Sequence, residues 1–161
     1  MKTISELIRE NQVVDLGPLP APRLGSRATV QQGLQFLVRG RRGAIVIVDG
    51  LRPLGVFTER DVVYRLPDEL YTSREQRLRM PLREVMSAPP VTVRRQETLR
   101  DAIGKMVDGK LRHLVVVDRH GDLKGLLTAN DLVQFLTDQF PEDTVNLPPR
   151  LRQVYHTAEG G

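Results

Sequence analysis

Thr58 and Asp61 stand three residues apart in the stretch GVFTERDVV, and Thr128 and Asp131 repeat that spacing in GLLTANDLV. The two threonines lie 70 positions apart, and so do the two aspartates. A hydroxyl and a carboxylate at this spacing, at the start of an apolar helix, support two kinds of chemistry. They can cap the helix, each side chain satisfying a backbone N–H of the other's end. They can also mark a helix N-terminus whose N–H groups and dipole receive an anion. Both remain open at this point. A capped helix needs no ligand. On either reading Asn at 131 still offers an acceptor to the cap, so Asp131→Asn is expected to change stability little.

Other chemistries find no motif. The chain has no cysteine, which removes disulfides and thiolate metal sites. His113, His120 and His156 are scattered and have no clustered carboxylates beside them. Ser5, Ser26, Ser73 and Ser87 have no histidine partner near in sequence, and no phosphate-loop, nucleophile-elbow or zinc-protease motif occurs. The sequence therefore gives no catalytic and no metal residues. Net charge is +4, with basic clusters at Arg39–Arg42 and Arg74–Arg79, but acidic residues are interspersed. That pattern fits a solvated face better than a nucleic-acid surface. No apolar run reaches the ~20 residues that span a bilayer. The N-terminus lacks a signal-peptide core, and the expectation is a soluble cytoplasmic protein.

The repeat extends well beyond the phrase. AIVIVDG (44–50) aligns with HLVVVDR (113–119), and TVQQGLQFLVRG (29–40) with TLRDAIGKMVDG (98–109). The offset over these stretches is 69, so the second copy carries one extra residue between strand and phrase. Leu99, Ala102, Ile103, Met106 and Val107 follow helical spacing, as do Val30, Leu34, Leu37 and Val38 in the first copy. The runs AIVIV and LVVV are short, β-branched and continuously apolar, which predicts strands buried on both faces. The unit reads strand, helix, strand, turn, strand, helix. One unit is too small to bury its own apolar face, so two related by a pseudo-twofold axis should share a core.

The predicted class is α/β, of the α+β type. Residues 1–16 form a docking helix with a Thr3–Glu6 capping box. Residues 17–66 form the first unit, 67–84 a linker, 85–138 the second unit, and 139–161 an extended tail. Ser73 with Gln76 predicts a short helix inside the linker, and Pro81 can open another. Gly55 and Gly125 predict places where backbone or ligand comes close.

The ordered run VMSAPPVTV…TLRDAIGKMVDGKLRHLVVVDRHGDLKGLLTANDLV resembles a cystathionine-β-synthase (CBS) domain, and the first unit resembles a more divergent copy. Two such β-α-β-β-α motifs in tandem form a Bateman module. The resemblance implies a non-catalytic module that binds AMP, ADP, ATP, NAD or S-adenosylmethionine in clefts between the motifs. It implies Thr58, Arg60 and Asp61 in one cleft, and Thr128, Asn130 and Asp131 in the other, with each Asp on ribose and each Thr near phosphate. Arg42–Gly43 and Arg112–His113 occupy the position of the family's basic phosphate contact. Pro22 and Val91 stand where the family walls the base. It further implies a homodimer and signalling to an unnamed partner. The apolar width of the last helix of each unit, Val62, Val63 and Leu66 and then Leu132, Val133, Phe135 and Leu136, predicts that the dimer forms through these helices. The rival is a structural interaction module with empty clefts.

Overall fold

The computed structural model describes residues 1–67 and 73–140; the tail expected from 139 onward lies almost wholly outside the described residues. The helices are α1 (Ile4–Glu10), α2 (Val30–Arg39), α3 (Glu59–Arg65), α4 (Arg74–Arg79), α5 (Leu99–Gly109) and α6 (Ala129–Gln139). The strands are β1 (Arg23–Gly25), β2 (Ala44–Asp49), β3 (Arg52–Thr58), β4 (Thr92–Arg94), β5 (His113–Val117) and β6 (Leu123–Thr128). Short 3-10 turns at Val13–Leu16 and Leu82–Glu84 precede β1 and β4. Threonine opens most of the helices. Thr3, Thr29, Thr58, Thr98 and Thr128 each form a capping box with the residue three positions on.

Each copy makes a three-stranded sheet, ordered β1-β2-β3 and β4-β5-β6. The first pair in each is parallel and the second antiparallel. The one-residue offset between copies lies in the hairpin. Asp49 pairs with Arg52 around a tight turn at Gly50, which has positive φ. In the second copy Val117 pairs with Leu123, and the longer turn is held by Asp118, whose carboxylate accepts from the backbone N–H of His120 and Asp122. An Asp side chain bonded to its own turn is the usual reason Asp is placed there.

Strand alternation explains the continuous apolar runs. Ile45, Ile47 and Phe57 face their own helices with Val30, Leu37 and Leu82. Leu114, Val116 and Leu127 do the same with Leu99, Ala102 and Met106. The opposite faces meet each other: Ala44, Val46 and Val48 pack with Val115, Val117, Leu123 and Leu126 in a third cluster between the two sheets. Sheet against sheet therefore closes the shared core. Two helix positions depart from the expected apolar faces. Val38 and Val107 are strongly exposed, because the stripe covered by each sheet is narrower than the apolar run.

The stretches ahead of β1 and β4 cross over to the other copy. Val13 N–H donates to Glu97 O and Leu99 N–H to Asn11 O, which seats the N-terminal stretch on the second copy. Leu82 N–H donates to Ala28 O and Val30 N–H to Met80 O, which seats residues 80–82 on the first. These bonds correspond pairwise at the offset of 69. α1 packs on α5 and α4 on α2, so α1 and α4 are counterparts as well. The crossing continues over the sheets: Leu126 N–H donates to Leu19 O, while Val56 and Ser87 exchange two backbone bonds of 2.9 Å. Gly55 and Gly125 lie beneath these crossings. A Cβ on Gly55 would meet Ser87 O at 2.7 Å, and one on Gly125 would meet Leu19 O at 2.6 Å. The two glycines admit backbone from the opposite lead-in.

Candidate functional site

β3 ends where α3 begins, and β6 ends where α6 begins, so each repeated phrase sits at a strand-to-helix junction. The pseudo-twofold arrangement brings both junctions to one side of the molecule. There they border an open cleft of about 1270 Å³. Thr58, Arg60, Asp61, Thr128, Asn130, Asp131, Arg42, Gly43, Arg112, His113 and Val91 all line it. Pro22 does not. It borders a smaller recess of about 360 Å³ beside β2, with Phe36 and Ala44. The reason is partial symmetry. Pro22 and its counterpart Val91 play the same backbone role, each carbonyl accepting from a strand N–H, but only Val91 also turns its side chain into the cleft.

Both capping boxes form. Asp61 accepts from Thr58 N–H at 2.9 Å and from its hydroxyl at 3.1 Å; Asp131 accepts from Thr128 at 2.7 and 2.9 Å. Each carboxylate then has a further partner, and the partners differ. The remaining oxygen of Asp61 accepts from the Ser87 hydroxyl at 2.7 Å and faces Arg65 Nε at 3.3 Å. Asp61 is buried, and its side chain is only 5% exposed. Asp131 is gripped by Arg42 of the other copy, Nη1 on Oδ1 at 3.1 Å and Nη2 on Oδ2 at 2.7 Å. Arg42 Nη2 also donates to the Leu126 carbonyl. Arg42 thus meets the carboxylate expected to hold ribose, where the sequence placed it on phosphate. The turn that delivers it contains Gly43 at φ +69°, a conformation glycine adopts freely.

The cleft carries six cations, Arg41, Arg42, Arg60, Arg65, Lys110 and Arg112, against the carboxylates of Glu59, Asp61 and Asp131. Two of those carboxylates are matched internally by Arg42 and Arg65. Arg60 lies 5.6 Å from the centre of the Tyr64 ring. Lys110 occupies the left-handed region at φ 51° at the end of α5, a position glycine more often fills. The apolar wall comprises Pro89, Pro90, Val91, Val63 and Val133. Cations and apolar side chains lining one cleft suit a ligand with both anionic and apolar parts. Ser87, Lys110, Tyr64, Pro89 and Pro90 were not expected as site residues. The Ala-Pro-Pro run after Ser87 is a sequence signal for the wall; Ser87 carries no such signal, since the sequence offers it only as a nucleophile without a partner.

Residues 82–138 match the family model described as CBS domain. Uncharacterized protein MK0525 of Methanopyrus kandleri is 34% identical over 99 residues, which cover 57% of this chain and 45% of that protein. Among solved structures, the CBS domain protein PAE2072 from Pyrobaculum aerophilum, complexed with AMP, is similar at 28% identity. Its TM-score is 0.66, over 75% of this chain and 89% of that one. The cytosolic domain of the Mg2+ channel MgtE, in complex with ATP, is similar at 26% identity and a TM-score of 0.57, over 71% of this chain and 44% of that one. Residues 82–138 of this chain are a CBS domain, and the chain shares the fold of CBS-domain proteins. It spans less than half the length of the first two curated relatives it matches, 45% of one and 42% of the other. Its two sheets and six helices are a tandem pair of CBS motifs. Among the described residues no helix is long and apolar enough to cross a membrane, and no cluster of potential metal ligands occurs.

In this CBS pair His113 joins the copies a second time. Its Nε2 donates to the carbonyl of Arg42 at 2.8 Å, which requires the proton on that nitrogen. Burial pushes the imidazole below its ordinary value of 6.5. The Arg42 carbonyl opposes that shift, the Arg42 charge adds to it, Glu59 opposes it and Arg112 adds to it. The neutral ring is therefore favoured in the folded state. Its contribution to stability is complete above pH 6.5 and is lost as pH falls through the lower folded value. Between about pH 7.5 and about pH 5.5 the chain should lose stability that His113→Gln does not lose, since Gln can donate the same bond without titrating. Urea melts of both proteins at the two pH values check this; parallel losses would mean that His113 does not titrate in this window.

Proposed function

We propose that the cleft binds an adenosine nucleotide and that the chain is a non-catalytic regulatory module. The observation that carries this reading is the surplus of cations, Arg41, Lys110 and Arg112, beside the apolar wall of Pro89, Pro90 and Val91. None of those three cations is in an ion pair among the described residues. The ligands carried by the Pyrobaculum protein and by the channel domain support the same reading. The candidate ligands are AMP, ADP, ATP, NAD and S-adenosylmethionine. Asp131, 20% exposed, is the better ribose acceptor; Asp61 is enclosed by its own partners. Binding shifts one CBS motif against the other, and a partner protein of unknown identity reads the shift. Such coupling requires that the ligand prefer one arrangement.

Assembly as a homodimer in the cytoplasm belongs to the same proposal, with a changed contact. Leu66 and Leu132 are buried in their own copies and cannot serve an interface. Val63, Tyr64 and Val133 are exposed, and a second chain over α3 and α6 would cover them. The structural-module rival also has an observation in its favour: Asp61 is fully occupied by Thr58, Ser87 and Arg65. A thermal melt with each of the five ligands separates the two. Ligand at ~100 times its dissociation constant adds ~2.7 kcal/mol, on the order of 5–10 °C for a chain of this size. Light scattering of the same samples gives the mass. No shift with any ligand at millimolar concentration would favour the rival.

A further inference from the structure

We infer that Arg42 masks Asp131 until a phosphate draws it away, so that the cleft selects phosphate-bearing adenosine ligands over neutral or cationic ones. The inference rests on the nucleotide reading above. Asp131 receives four hydrogen bonds, two from Thr128 and two from the Arg42 fork. A ribose diol approaching that carboxylate must compete with a charge-assisted, two-pronged contact that a neutral hydroxyl pair does not match. Arg42 cannot simply retire to solvent. Its side chain is 18% exposed, and its other hydrogen bond is to the Leu126 carbonyl. Leaving Asp131 without a new anion would strand a largely enclosed guanidinium.

Its Nε is already buried and without a hydrogen-bond partner among the described residues, so one donor stands ready for an added acceptor. A nucleotide brings both halves of the exchange. Its sugar hydroxyls take the carboxylate, and its phosphate takes the guanidinium. Adenosine brings the first without the second. S-adenosylmethionine carries a sulfonium where the nucleotide carries phosphate, and its one carboxylate lies beyond it on the carbon that bears the ammonium.

Titration calorimetry with AMP, adenosine and S-adenosylmethionine tests this on the full chain and on Arg42→Gln. Wild type should prefer AMP over adenosine by about 10- to 100-fold, the range expected for charge-assisted bonds. S-adenosylmethionine should bind no better than adenosine. In Arg42→Gln the AMP preference should shrink about tenfold, with adenosine bound more tightly than by wild type. Arg42→Lys keeps a cation but cannot grip both oxygens, so it too should bind adenosine more tightly, and it serves where the Gln variant does not fold. Equal binding of AMP and adenosine by wild type, or an unchanged preference in the variants, overturns the mask and leaves nucleotide binding standing. Failure of all three ligands to bind wild type overturns the nucleotide reading and the mask with it.

Discussion

Gly125→Ala will destabilise the fold by about 2–3 kcal/mol, and Gly125→Val will prevent it from forming. The added Cβ would stand 2.6 Å from the Leu19 carbonyl oxygen and 3.1 Å from the Leu19 Cβ. Backbone cannot yield by changing rotamer. The lead-in would have to lift away and lose the bond from Leu126 N–H to Leu19 O. Gly55→Ala should behave alike, with Ser87 O at 2.7 Å, although part of its crowding comes from the flexible Met86 side chain. Gly104→Ala is the control. It lies within α5 with open space around its Cβ position, so it should gain about 0.5–1 kcal/mol from helix propensity alone. Urea midpoints of the three alanine variants decide the matter. A Gly125→Ala protein as stable as wild type would show that the crossing is looser than described.

Asp131→Asn should lower stability by about 2–3 kcal/mol, in the lower part of the range for breaking an enclosed pair because the two side chains remain about one-fifth exposed. This replaces the expectation of little change. The amide can still accept from Thr128, so the cap survives, but the Arg42 guanidinium loses its counter-charge. The melting temperature should fall by about 5–10 °C. Asp131→Asn combined with Arg42→Gln removes both charges and should recover part of the loss, because nothing is left stranded. If the double variant loses as much as Asp131→Asn and Arg42→Gln lose together, the pair is not coupled and the contact contributes nothing of its own.

The fold was legible because the chain states it twice. The alternation of Ile45 and Ile47 with Val46 and Val48 could be read as a strand covered on both faces, and the single-residue offset located the longer turn. The Thr-x-x-Asp spacing declared both helix starts. The partners of the two carboxylates were not legible. Arg42 and Asp131 are 89 positions apart, and no periodicity links them. Ser87 sits in a proline-rich stretch that carries no pattern of its own. The equivalence of α1 and α4 was also hidden. The two helices are of similar length, seven and six residues, and share a place but little sequence, so the sequence predicts a docking helix for one and a linker segment for the other. Val38 and Val107 misled because an apolar residue on the edge of a helical stripe looks the same in sequence as one at its centre.

The reciprocal crossing of the lead-ins makes this chain equivalent to two intertwined subunits joined end to end. Two identical subunits would be bound by symmetry: any change at one junction would appear at the other. Fusion lifts that constraint. The position of Arg42 in the first copy corresponds to Leu111 in the second, and Ser87 crosses the first sheet where Leu19 crosses the second. One aspartate could therefore acquire an arginine from across the axis, while the other took a serine hydroxyl from the opposite lead-in and an arginine from its own helix. The molecule keeps the closed core of a symmetric pair and has two unlike halves in its cleft, one carboxylate enclosed and the other one-fifth exposed.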